Sequence, residues 1–465
     1  MTPTTVESPP PMSGREIAVI VSGVLLAMSL GTVSQTIVAP ALPTLARDLQ
    51  ISNASWVVSA YLIAGTASTP LFGKLADIAG RRRALLTALA LFILGSVGSA
   101  LAPGIGWLVV ARAVQGAGGG AIIVLAMVIV ADIVSPRERG RYQPYMTTTF
   151  VVGAVAGPAL GGLIAQYFHW SVIFWVCAGL AACAFVLTWH VLKRLPRRER
   201  PHRLDVLGVV FLLVGSVGLM AAISLHGHLG ITIGLVVLSL LGWAGFAWRA
   251  LTASEPLIPL PILKSPLVLS GTISAMFGAG ALIVMTTFLP SYFQGVLGLG
   301  VAEAGFALIP MLAGSAVGSL GAGQVMARSP RYRWAAEAAL IISAGSAAVL
   351  AVLGGRLPVS LVEGLLFLVS LGAGAVTPVT TFSIQNAVQM HELGIATSTN
   401  NFIRQLGAAL MVACVGSAVL HGKGGSAHEV SDFGGLFWAM TAAFGLAYVA
   451  LLFMEERILQ DRTEH

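Results

Sequence analysis

The sequence predicts an all-α integral membrane protein of fourteen transmembrane helices, and three observations carry that prediction. Of 465 residues, 56% are hydrophobic and 10% charged, with a mean hydropathy of +0.88, whereas soluble domains sit near a quarter charged. Apolar runs of about twenty residues, the length that crosses a bilayer as a helix, recur from one end to the other. Sorting Lys and Arg over the intervening turns puts twenty-one on one side and three (Arg47, Arg356 and Lys423) on the other, with Arg112 and Arg404 inside spans. The positive-inside rule then places both termini in the cytoplasm, and a miscount by one span would scramble the asymmetry.

The spans fall at 17–41, 54–73, 84–103, 107–132, 144–167, 172–192, 205–224, 229–250, 267–290, 303–325, 335–354, 360–382, 396–420 and 433–454. The first outruns a signal-peptide core and leads straight into the second, so it reads as a retained helix. Cys177, Cys183 and Cys414 lie inside apolar runs, which argues against a disulfide framework or a metal cluster. The net charge of +7 sits in turns such as "KRLPRRERPHR", where it orients the chain in the lipid bilayer; no nucleic-acid partner is expected. "HGKGG" and "GAGGG" lack the spacing of a phosphate loop, and no zinc motif or nucleophile elbow occurs, so neither a cofactor nor an enzyme is expected. Trp56, Tyr61, Tyr292 and Phe293 fall at span ends, where aromatics commonly anchor the membrane interface, and His190 reads the same way.

The turn between spans 2 and 3 packs five charges into "FGKLADIAGRRRALL". Gly73 and Gly80 allow a tight backbone, and Asp77 lies within reach of Arg81, Arg82 or a neighbouring helix end. Such a cluster can latch helix ends in one conformation and release them in another. In span 4, Arg112, Gln115 and Gly116 share a helix face. A cation there costs roughly 2.5–3.5 kcal/mol at mid-bilayer on insertion scales, so Arg112 faces the bundle interior. Gly153, Gly157 and Gly161 recur every fourth residue of span 5, a period that admits close helix approach, and Pro158 removes a helical hydrogen bond. The spacing suits packing, or a kinked seal across two bundles. Asn401, Arg404 and Gln405 form a polar face in span 13, where Arg404 either snorkels toward water or lines a cavity.

Three ordered patterns resemble signatures of the major facilitator superfamily. "GKLADIAGRRR" does so through Gly73, Asp77, Gly80 and Arg81, "ARAVQGAGGG" through Arg112, Gln115 and Gly116, and "GAVAGPALGG", a pattern associated with antiporters, through Gly153, Gly157, Pro158, Gly161 and Gly162. The span count, with "PLIPLPILKSP" before span 9 and "NNFIRQLGAAL" in span 13, resembles the fourteen-span drug/proton antiporter branch. The resemblance implies the major-facilitator fold: six-helix bundles at 1–193 and 267–465, with 194–266 supplying a basic cytoplasmic loop and two inserted helices. Binding is then expected near the midplane, between the bundles.

That likeness further implies a monomeric secondary transporter of the cell (inner or plasma) membrane, exporting drugs, antibiotics or metabolites of amphipathic character against protons. Gly73, Asp77, Gly80, Arg81 and Arg82 would gate it, and Arg112, Gln115, Gly116 and Asp132 would relay protons or border the cavity. Ser34, Gln35, Tyr61, Asn401, Arg404 and Gln405 are the candidates for the substrate cavity. Two departures stand out: Ser34 occupies a position where the family often carries Asp, and Asp132, Glu303, Glu337 and Glu363 all lie at span ends rather than mid-span. In addition "GAGQVMARSPRYRW", where a second copy of the turn motif is expected, lacks its acid. A facilitator for a lipid or dedicated metabolite, without proton coupling, therefore stays open beside the antiporter.

Overall fold

The computed structural model describes residues 14–50, 55–134, 136–192, 205–224, 229–253, 256–258, 264–299, 301–329, 331–389, 392–420 and 430–455. The run "KRLPRRERPHR" lies outside the described residues. Among the described residues run fourteen helices of 19 residues or more: α1 (Gly14–Thr36), α2 (Ser55–Ala79), α3 (Arg81–Ala100), α4 (Ile105–Ile133), α5 (Pro136–Tyr167), α6 (Ser171–Val191), α7 (Val206–Ser224), α8 (Leu229–Thr252), α9 (Pro266–Gly295), α10 (Ile309–Arg328), α11 (Arg333–Leu353), α12 (Val359–Ala387), α13 (Leu393–Leu420) and α14 (Val430–Leu452). Ten helices are long and apolar enough to cross a membrane. Of the other four, α7 contributes a shorter apolar stretch, Val206–Leu219, and the remaining three are α2, α5 and α13. All three carry polar residues, and all three meet the opposite half of the molecule.

Two separate apolar cores explain the architecture. One is built from α1–α6 around Met28, Leu85, Phe92, Ile122 and Phe174, the other from α9–α14 around Met285, Phe293, Leu366, Phe382 and Phe444. Lipid tails are as apolar as these side chains, so each core holds its own half together by close van der Waals packing rather than by removal from water. Contact between the halves runs chiefly along α5 against α10 and α2 against α13. The pair α7–α8 packs on itself, with Gly215 and Gly242 at the crossing, and an ion pair of 3.0 Å from Arg249 to the buried Asp205 ties its ends. It docks on the seam where Val209 and Leu212 of α7, with Leu257 and Ile258 beyond α8, cluster with Phe402 of α13.

The aromatic anchors expected at span ends need correction. Tyr61, Tyr292 and Phe293 are buried, and Tyr292 packs edge-on against Phe433 and Phe437 with centroids 5.3 Å from each. Their ring area is spent inside the bundle because neighbouring helices close over those span ends. His190 is exposed and its Nδ1 lies 2.8 Å from the Val186 carbonyl oxygen. None of the three cysteines forms a disulfide, and no cluster of metal-ligating side chains occurs among the described residues.

Candidate functional site: a central cavity and the contact beneath it

A cavity of about 240 Å³ lies between the halves, lined by α1, α4 and α5 of the first and α9, α10, α12 and α13 of the second. Its apolar wall includes Ile123, Met127, Met146, Leu282, Leu312 and Pro378. The polar part includes Thr32, Gln35, Ser315, Thr381, Arg404 and Gln405. Of the six residues expected to form a substrate cavity, Gln35, Arg404 and Gln405 therefore line it.

Ser34, Tyr61 and Asn401 do not. Ser34 points away from the cavity toward α6, where its Oγ lies 3.3 Å from Cys177 Sγ. The Tyr61 hydroxyl donates to the Gly31 carbonyl at 3.0 Å, inside the first half. Asn401 stands behind Arg404 and accepts a hydrogen bond from its Nη2. Ser34 and Gln35 are adjacent in sequence, but successive helix positions differ by about 100° in direction, so only one of them faces inward.

Arg112, Gln115, Gly116 and Asp132, expected as a relay or cavity set, also lie off the cavity lining. Arg112 is fully buried within the first half. Its Nε donates to the Val57 carbonyl at 3.0 Å, its Nη1 donates to Gln115 Oε1, and Gln115 Nε2 donates in turn to Ser96 Oγ at 2.8 Å. The guanidinium carbon sits 4.3 Å from the Tyr61 ring centroid and 5.7 Å from that of Phe174. A buried cation is costly unless paired; here carbonyl dipoles and two ring faces take the place of a carboxylate. Gly116 lets α2 and α4 touch, since a Cβ there would run into the Tyr61 backbone. Gly116→Val should therefore lower the melting temperature of the purified protein, by overpacking that typically costs about 1–3 kcal/mol. A wild-type melting curve would contradict this placement.

The turn motif is built as a three-part cluster. Gly80 follows α2 with φ of 87°, a conformation that favours glycine, and so lets α3 begin one residue after α2 ends. The turn aims Arg81 back at both acids: Nε donates to Asp132 Oδ2 at 2.6 Å, and Nη1 lies 2.7 Å from Asp77 Oδ1 as an ion pair while donating to the Ala76 carbonyl at 2.8 Å. Asp132 thus belongs to this cluster, because it closes α4 directly beside the α3 start. Arg82 faces elsewhere: it donates to the Trp189 carbonyl at 3.1 Å and lies 4.8 Å over the Trp189 ring. Its placement beside the gate is corrected to the outer flank of α6.

With one oxygen held by Arg81, Asp77 turns the other across the seam, where Oδ2 accepts the Ile395 backbone N–H at 3.1 Å. Ile395 lies in the first turn of α13, whose amides lack helical acceptors and favour a negative charge. Asp77 thus caps a helix of the opposite half. Gly73 stands one turn nearer the cavity, where a Cβ would collide with Ser398 Oγ and lie 2.8 Å from the Gly394 carbonyl. Higher still, Thr66 Oγ1 donates to Gln405 Oε1 at 3.2 Å. From Thr66 to Asp77 is eleven residues, about 16 Å of helix. Over that length α2 and α13 pack against each other, from the Gln405 level at the cavity toward the end of the molecule that carries Arg81–Arg83.

Of the two readings of the α5 glycines, close packing or a kinked seal across the bundles, their contacts fit the first. Gly153, Gly157 and Gly161 face Thr32 and Thr36 of α1 and Ile37 just past its end, in the same half, where any Cβ would collide. Their lack of side chains lets the α1 hydroxyls reach α5 carbonyls: Thr36 Oγ1 donates to Gly153 at 2.9 Å and Thr32 Oγ1 to Thr149 at 3.3 Å. Gly162 lies farther out, 3.9 Å from Pro40 Cβ for a built Cβ, and the helix runs on through Pro158. The contact fixes the direction of the α1 end that presents Thr32 and Gln35 to the cavity. Sequence reasoning missed Met127, Met146, Ser315 and Pro378 in the lining; Pro378, a proline inside an apolar run, was the one available signal.

Two helical halves facing each other across a partly polar cavity, joined by two helix pairs, define an integral membrane protein of the carrier class. The profile of the Major Facilitator Superfamily matches residues 24–412, and the chain belongs to that family. Membership places it among transporters rather than enzymes. The chain is 31% identical over 404 residues to an uncharacterized MFS-type transporter of Mycobacterium tuberculosis, a match that takes in 86% of this chain and 58% of the relative. It is 27% identical over 418 residues to the multidrug transporter protein MdtP of Bacillus subtilis, covering 88% of this chain and 76% of that one. In fold it is similar to the proton:xylose symporter XylE, with a TM-score of 0.68 at 16% identity over 97% of this chain and 99% of the other.

Proposed function

We propose that the protein is a secondary transporter of the fourteen-span drug/proton antiporter branch, acting as a monomer. It exports amphipathic small molecules across the cell membrane by alternating access, with protons as counter-ion. The observation that carries this reading is the cavity between two independently packed halves, with the α2–α13 contact on one side of it. The halves at 1–193 and 267–465 rock about it, while α7 and α8 in 194–266 ride on the seam. The mixed lining suits a molecule with an apolar body and a polar group. Twenty-one basic residues on the side of Arg81–Arg83 support cytoplasmic termini and a clasp that closes the cytoplasmic side. The multidrug relatives support the substrate class, and the α5 motif supports the direction.

A second reading, a facilitator for a lipid or metabolite without proton coupling, is favoured by one observation: the described lining contains no acidic residue. Both are tested by proteoliposome flux over a panel of dyes, antibiotics and lipids with the pH gradient imposed or collapsed. The antiporter reading expects flux that follows the gradient. Flux indifferent to it moves the conclusion to the facilitator, and no flux of any compound overturns both.

A further inference from the structure

Two arginines lie buried within the helices, and the structure treats them differently. Arg112 lies off the cavity, with its Nε and Nη1 held in the first half by a carbonyl and a glutamine, two aromatic faces against its guanidinium, and its Nη2 without a hydrogen-bond partner. Arg404 is 91% buried, yet its one protein partner is the Asn401 side chain, which takes Nη2. Among the described residues no carboxylate and no ring face stands against it, and Nε and Nη1 have no protein acceptor. Arg404 is also the one charged residue among those that line the cavity. Beside it, Gln405 spends its carbonyl oxygen on Thr66, which leaves the amide NH₂ to donate, and Gln35 makes no hydrogen bond among the described residues.

A guanidinium this deeply buried is expensive without an anion, and its planar fork fits a two-oxygen acceptor. The described residues supply no such acceptor here, so the occupant of the cavity is the group that can. We propose that the cavity takes amphipathic organic anions, an apolar body bearing one carboxylate or sulfonate, with the anion held by Arg404 and the body laid on Met127, Met146 and Leu312. The inference rests on the transporter reading and narrows its substrate class. Asn401 is a positioning residue, holding one edge of the guanidinium so that the other edge faces inward.

The test is equilibrium binding to the purified full chain in detergent, with three probes of one shape and different charge: 1-naphthoate, neutral 1-naphthamide and the cation 1-naphthylmethylammonium. The expected result is that naphthoate binds at least about tenfold more tightly than either of the others, the worth of a charge-assisted pair. Arg404→Gln should level the three, and Arg404→Lys should keep a weakened anion preference, with gel-filtration profiles confirming folded protein in both. Equal or tighter binding of the amide or the cation, a naphthoate preference that survives in Arg404→Gln, or no naphthoate binding up to its solubility overturns the inference. Flux in proteoliposomes separates the two conclusions. Arg404-dependent binding with no flux of any probe sinks the transporter reading alone, whereas flux of the cation without anion binding sinks the anion assignment alone.

Discussion

Gly73→Leu is expected to abolish transport while leaving the protein folded and inserted. The three nearest atoms that a Cβ at Gly73 would meet all belong to Ser398 and Gly394 of α13, in the opposite half. The added side chain therefore disturbs neither apolar core, and acts where the halves come together. A leucine cannot be housed there without moving α2 from α13, so the clasp stays open and the cycle halts on that side. A cysteine placed at Ser315, in the cavity lining, reports the state. A membrane-impermeant maleimide offered on the side of Arg81–Arg83 should label it faster in Gly73→Leu than in the parent. Unchanged labelling together with retained transport would show that α2 and α13 never need to touch at this rung.

Asp77→Asn should also lose most of its turnover, about tenfold or more, with normal expression and melting. The substitution keeps the size of the side chain and an oxygen that can accept from Ile395 N–H, so capping as such survives. It removes the charge. Arg81 then has one carboxylate, Asp132, in place of two, and the amide-rich start of α13 faces a neutral group. A charge at a partly buried helix start contributes up to about 2 kcal/mol, and 1.4 kcal/mol is a tenfold shift between closed and open forms. Wild-type efflux from a well-expressed Asp77→Asn protein would reduce the charged turn to an orientation signal.

How much of this was legible in the sequence depends on how local each signal was. Fourteen long helices overlap the predicted spans, and ten of them are long and apolar enough to cross a membrane, because an apolar run declares itself without reference to its neighbours. The Gly80–Arg81 turn was legible for the same reason: backbone freedom and charge sit within four residues of Asp77. Partners on distant helices were not. Nothing at Arg112 names the Val57 carbonyl or the Tyr61 ring, since a carbonyl has no sequence signature and the ring was read as an interface anchor. Likewise the glycines of α5 announce a close helix, but not that the helix is α1 rather than one across the seam. The cavity draws one or a few residues from each of seven helices, and a period of 3.6 alone cannot tell which face of a helix is inward. That is why Gln35 and Ser34 were grouped together and only Gln35 belongs to the lining.

The most direct test is the distance between the halves at the clasp end of the molecule. Spin labels at Thr87 on α3 and Arg331 just before α11, both exposed, report it by electron–electron resonance in nanodiscs once the exposed Cys183 and Cys414 are changed to serine. Alternating closure predicts two distance populations in the otherwise unaltered protein, with Gly73→Leu and Asp77→Asn each moving weight to the longer one. A single population that neither substitution moves would contradict it, and with it the reading of α2 and α13 as a gate.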